Sequence, residues 1–199
     1  MRLTDADLNF WGVNPTATGL DVRPTLHSDI SSVATITREA VGRNIVRDRI
    51  TFDSSVELNV GADNANKGDG LGLLVMPARL YRPISFRLNL TLSDNLALGE
   101  TTAGEIGIGT TIATGAVNVL SGTAGFENFL TGQTLGNITA AGTLAVTGQI
   151  PVSVAAVGSV ISESTLYLNH ASAFSDEASA HGVDIDSGFL EMIYEVYAN

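Results

Sequence analysis

The chain has 199 residues, with 21 acidic and 10 basic side chains and a formal net charge of −11. So acidic a chain lacks the positive surface that nucleic acids and anionic membranes require, and neither is expected as a partner. It is long enough to bury a core without disulfides, and it contains no cysteine.

The charge is sorted along the sequence. Arg87 is the last basic residue: the 112 residues after it hold 11 acids and no lysine or arginine, whereas residues 1–87 hold all 10 bases and 10 acids. Such sorting predicts a molecule that grips a partner, or a copy of itself, with one region and shows the other to solvent. Nine of the ten bases are arginine, with Lys67 the exception. Arginine pairs bidentately with carboxylates and is favoured in protein contacts. No run of 18 apolar residues is present, so no membrane span is expected. The opening Met1-Arg2-Leu3-Thr4-Asp5-Ala6-Asp7 lacks a secretory pattern, which predicts synthesis in a cytoplasm.

Residues 1–49 show no sustained alternation and include Pro15 and Pro24. They read as an irregular N-terminal arm, with Thr37–Arg47 either a short helix or an extended lead into the first strong strand. Phe10-Trp11 is an isolated aromatic pair in this arm. It is core if the arm folds back, and a docking anchor if it does not. Arg38, Arg43, Arg47 and Arg49 place four arginines in 12 residues. The plainer reading is a solvated face balanced by Glu39 and Asp48. The functional reading is a clamp for acids on a partner or on a neighbouring copy's C-terminal part.

From residue 50 to 199 the pattern predicts a β-sandwich domain. Ile50, Phe52, Ser54, Val56, Leu58 and Val60 alternate with Thr51, Asp53, Ser55, Glu57 and Asn59, as in a strand with one wet face. The stretch 61–70 reads as an exposed hairpin loop with Asp69-Gly70 as turn formers, because it fails the EF-hand spacing at Ala65 and Leu74. Leu71–Met76 reads as a strand. Ile84, Phe86, Leu88, Leu90 and Leu92 share a face opposite Ser85, Arg87, Asn89 and Thr91. Fourteen of the 21 glycines follow residue 88, which predicts short strands with tight corners. Leu144/Val146 and Ile150/Val152/Val154 alternate weakly, with Pro151 marking a bend or an edge. Thr165–His170 reads as a strand. Leu190, Met192, Tyr194 and Val196 alternate with apposed Glu191 and Glu195.

Enzyme signatures are missing. The chain has no Gly-x-Ser-x-Gly elbow, no phosphate loop at Lys67-Gly68 and no His-Glu-x-x-His among His27, His170 and His181. Glu191 and Glu195 are four residues apart on a strand, on the order of 13 Å, too far for a glycosidase pair. Asp184-Ile185-Asp186, with His181 and Asp176 nearby, comes closest to a cation site, although an acidic surface loop is the preferred reading. No catalytic residue, metal or cofactor is expected.

Three stretches carry a resemblance: residues 104–115 (Gly104-Glu105-Ile106-Gly107-Ile108-Gly109-Thr110-Thr111 and onward), residues 125–134 around Phe126 and Phe129, and Ser164-Thr165-Leu166-Tyr167-Leu168-Asn169. With the strand at Arg82–Leu92 before them, their order is similar to that of small virion structural proteins of tailed bacteriophages. The likeness covers roughly residues 80–199 and is one of composition and order. It implies a capsid decoration, or cement, protein: a jelly-roll-like antiparallel β-sandwich, often a homotrimer, binding the major capsid protein on the capsid exterior. It carries over no contact residue. The partner-binding residues expected from the sequence are Phe10, Trp11, Arg38, Arg43, Arg47 and Arg49. The alternatives, in order, are a carbohydrate-binding β-sandwich module of a phage fibre or cell-surface protein, and a small hydrolase.

Overall fold

The computed structural model describes residues 24–42, 44–60, 68–77, 81–94, 105–114, 117, 119–121, 125–134, 143–151, 164–171 and 181–196. Phe10, Trp11 and Arg43 lie outside them. Among the described residues there is no helix, and every strand pair is antiparallel.

The strands are β1 (Thr25–Leu26), β2 (Ala34–Gly42), β3 (Ile45–Phe52), β4 (Val56–Val60), β5 (Gly68–Val75), β6 (Tyr81–Asp94), β7 (Glu105–Gly109), β8 (Leu130–Thr134), β9 (Thr143–Pro151), β10 (Thr165–Ala171) and β11 (His181–Val196). They form two sheets. The smaller runs β1-β5-β10-β7-β8; the larger runs β2-β3-β11-β6-β9, with β4 also paired to β11. One continuous core lies between them. Leu71, Leu73, Ile106, Ile108, Leu130, Leu166 and Leu168 face it from the smaller sheet. Ile50, Phe52, Leu58, Phe86, Leu88, Leu90, Leu92, Leu190 and Met192 face it from the larger. This is a β-sandwich, the arrangement in which two half-apolar sheets bury each other's dry faces.

The 16-residue β11 is the spine of the larger sheet. On one side it pairs with β6 along most of its length; on the other it pairs first with β4 and then with β3. Gly188 sits at the step between those partners, with φ +126 and a pleat disturbed between Ile185 and Ser187. An added Cβ there would overlap the Asn89 carbonyl. Pro83 is tolerated inside β6 because the pairing with β9 starts only at Ser85.

Three expectations are corrected. The boundary at residue 49 runs through β3, and Ala34–Gly42 is a strand rather than part of an irregular arm. It also excludes the short helix over Thr37–Arg47. Thr35, Thr37 and Glu39 look outward while Ala34, Ile36 and Arg38 look inward, so the alternation is present but is masked by a charged residue on the dry face. Asp69 and Gly70 lie within β5 and are not turn formers, and β4 and β5 belong to different sheets and so do not form a hairpin; residues 61–67 lie outside the described residues. Finally, Gly107 and Gly109 sit inside β7, not at corners. With Gly70 and Gly72 of β5 they leave the outer face of the smaller sheet low, and part of the β7–β8 connection lies against it. Ile112 crosses Gly70, and the Gly125 carbonyl packs where a Gly109 Cβ would be.

Candidate interaction surface

β3 alternates between half-buried and buried at every residue, and this alternation divides the arginine cluster. Arg47 and Arg49 project to the outer face of the larger sheet. Asp48, between them, points into the sandwich at 1 % exposure. It meets Arg38, its register partner on β2. Arg38 Nε donates to Asp48 Oδ1 at 2.7 Å and Nη2 donates to Oδ2 at 2.7 Å. The Tyr194 hydroxyl donates to Oδ2 at 2.5 Å and accepts from Arg38 Nη2. Tyr81 closes the cluster edge-on to Tyr194, with ring centroids 5.4 Å apart. Burial works to lower the Arg38 pKa, but the bonds and charge of Asp48 outweigh it and hold the guanidinium above its ordinary value. Burial first, then the Asp48 charge, pushes the Tyr194 hydroxyl far up, so it stays a donor. Arg38 is thereby committed to an internal ion pair, which does not fit the partner-binding role expected for it.

The outer face of the larger sheet gathers the remaining arginines. Cross-strand register sets Thr37, Arg49, Glu191 and Arg87 side by side on β2, β3, β11 and β6. Beyond this row, toward the C-terminal end of β11, Arg47 pairs with Glu39, and Arg82 Nη2 lies 2.6 Å from Glu195 Oε2. Arg47 Nε also approaches Glu191 Oε2 at 4.0 Å. Arg49 and Arg87 behave differently. Both lean along the strands over the Phe189 ring, with their guanidinium carbons 3.7 and 5.3 Å from its centroid. Among the described residues neither has a carboxylate within ion-pair distance. A guanidinium stacked on a ring keeps its N–H edge available, and the ring restricts its motion. The result is an Arg–Phe–Arg platform on the outer face of the larger sheet, a geometry able to receive carboxylates bidentately.

The other polar groups inside the molecule hold structure. Asn169, fully buried, accepts from the Ala113 N–H at 2.9 Å and donates to the Thr111 and Phe126 carbonyls at 2.9 and 2.7 Å. It fastens the connection that covers the glycine face. Asp69, in register with buried His170, is pushed up to about 6 by burial, against the opposing effects of the Gly70 N–H and His170. Asp184 lies opposite Glu57 on the outer face, and Asp186 accepts from Ser93 Oγ at 2.9 Å. No group of three metal-ligating side chains exists among the described residues.

Of the residues singled out in the sequence, Arg47 and Arg49 reach this surface. Arg82, Arg87 and Phe189 were missed. Alternation already turned Arg87 outward with Ser85 and Asn89; the missing information was which strands are neighbours. Glu191 and Glu195 lie on the outer face, but on a central strand among arginines, and Glu191 is buried there instead of solvated. Searches against protein-family models and curated proteins return no match.

Proposed function

We propose that this chain is a non-enzymatic structural protein of a virion, a decoration subunit that attaches to the exterior of a shell of major capsid protein, and that the outer face of its larger sheet is an attachment surface. The observation that carries the reading is the pair of arginines over the Phe189 ring, neither with a carboxylate within ion-pair distance among the described residues. Interface hot spots favour this combination of aromatic and arginine side chains, and an enzyme pocket would require convergent groups in a cleft. The commitment of Arg38, Asp48, Tyr194 and Asn169 to internal bonds also supports a body that holds its shape and binds. The virion setting rests on the resemblance in residues 80–199. A subunit of this kind needs only modest contacts at each position, because repetition over a shell multiplies them.

The test is incubation with empty shells from the same source, followed by sedimentation. Saturable co-sedimentation that weakens at least tenfold on Arg49→Glu/Arg87→Glu is expected. An absence of binding over a wide range of salt would overturn the shell assignment.

A further inference from the structure

Asp69-Gly70 is the chain's single aspartyl-glycyl step. The fold imposes the glycine. Ile112 and Asn169 lie over position 70, and a Cβ added there would overlap both. The residue after Asp69 must therefore stay bare, and a bare follower leaves the aspartyl carboxyl open to the main-chain nitrogen.

The strand brings those two groups together. Gly72 donates its N–H to Asp29 Oδ2 at 2.9 Å, on the side of β5 away from β10. Gly70, two residues back on the same strand, turns its N–H the same way. The register of β1 on that side reaches only Leu74 and Val75. The Gly70 N–H is held instead by the preceding side chain, with Asp69 Oδ1 2.6 Å from the nitrogen. Asp69 Cγ is one bond beyond that oxygen. Attack by the nitrogen thus gives up no bond to a neighbouring strand, and Asp69 stands only one residue inside the end of β5. The carboxyl also holds its proton, the form that can lose water, to an unusually high pH. Burial pushes it up to about 6, against the Gly70 N–H and His170 in register on β10, with the charges of Glu57 and Asp29 adding to the rise.

We propose that Asp69-Gly70 is a site of spontaneous main-chain modification, where the folded protein closes to a succinimide and reopens as isoaspartate. The Gly70 nitrogen bonds to Asp69 Cγ, and the amide proton leaves with the carboxyl hydroxyl as water. Holding nitrogen and carboxyl in contact favours this intramolecular step. Solvent water then adds to the ring. Addition at Cγ restores aspartate. Addition at the Asp69 carbonyl carbon breaks its bond to the Gly70 nitrogen, and the main chain now runs through Cγ. That route inserts a methylene into β5 opposite His170, beneath the connection that Asn169 fastens, so the pairing of β5 with β10 is displaced.

The test is storage of the folded protein at pH 6 for several weeks, followed by peptide mapping with electron-transfer fragmentation, which separates isoaspartate from aspartate. Asp53 and Asp186, each followed by serine, are internal references. Isoaspartate at Asp69 is expected at least tenfold above either, at a rate within tenfold of that in the urea-unfolded chain. Hydroxylamine, which splits succinimides, should cut the stored chain between Asp69 and Gly70. Asp69→Glu keeps a carboxyl but would need a six-membered ring, and should give no cut. Isoaspartate at Asp69 no higher than at Asp53 or Asp186 would overturn the proposal. So would a folded rate more than tenfold below the unfolded one, because the strand would then be protecting the step, or a cut that persists in Asp69→Glu.

Discussion

Asp48 shows how one residue decides the role of its neighbours. It is the single acid on the dry face of β3, and its burial is compensated by a bidentate arginine and a phenol. Removing one member of such a group strands a buried charge, which costs about 3–5 kcal/mol. Arg38→Met is therefore expected to lower the urea midpoint of unfolding sharply, whereas Arg47→Met, on the wet face, should change it little. An equal loss for both would contradict the placement of Arg38. Asp69 gives a second residue-scale expectation. Its folded pKa, about 6, lies above the ordinary 3.8 because burial disfavours the charge. Folding therefore binds its proton more tightly. The associated stability is fully present below pH 4 and is lost as pH rises through 6. Solvent screening of this partly exposed carboxyl reduces the effect to on the order of 1 kcal/mol. Unfolding measured from pH 4 to 7 should show that decline in the wild type, and Asp69→Asn should flatten it. Parallel curves would remove Asp69 as the cause.

At the scale of elements, periodicity was legible where one face is wholly apolar. Arg82–Leu92 and Leu190–Val196 alternate cleanly in the sequence, and each lies in one strand of the larger sheet, whereas the alternation from Ile50 to Val60 crosses a break at Asp53–Ser55 between β3 and β4. β2 was harder to read because Arg38 sits where an apolar residue would mark the dry face; only the buried Asp48 explains it. The glycines of β5 and β7 misled for a different reason. Composition equates glycine with a corner, but at Gly70 and Gly109 its missing side chain admits a covering segment held down by Asn169. That use of glycine depends on a layer contributed from elsewhere in the chain, so no local window contains it. The candidate surface was half legible for a similar reason. Arg47 and Arg49 are close in sequence, whereas Arg87 and Phe189 join them only through β11.

For the whole molecule, the sorting of charge acquires a physical meaning. Arginines from β3 and β6 converge on one face of one sheet because β11, drawn from the acidic C-terminal part, lies between them. Glu191 and Glu195 thus sit inside a basic field, while Asp184, farther along the same strand, meets Glu57. The outer face of the larger sheet therefore carries both signs, with acids on β11 and arginines on its neighbours β3 and β6. The most direct test is arginine-selective modification read by mass spectrometry, comparing dilute protein with protein that has associated with itself or with shells. Arg49 and Arg87 should become protected on association, while Arg38 should be slow to react in both states. Equal reactivity of Arg49 and Arg87 in the dilute and associated states would contradict it.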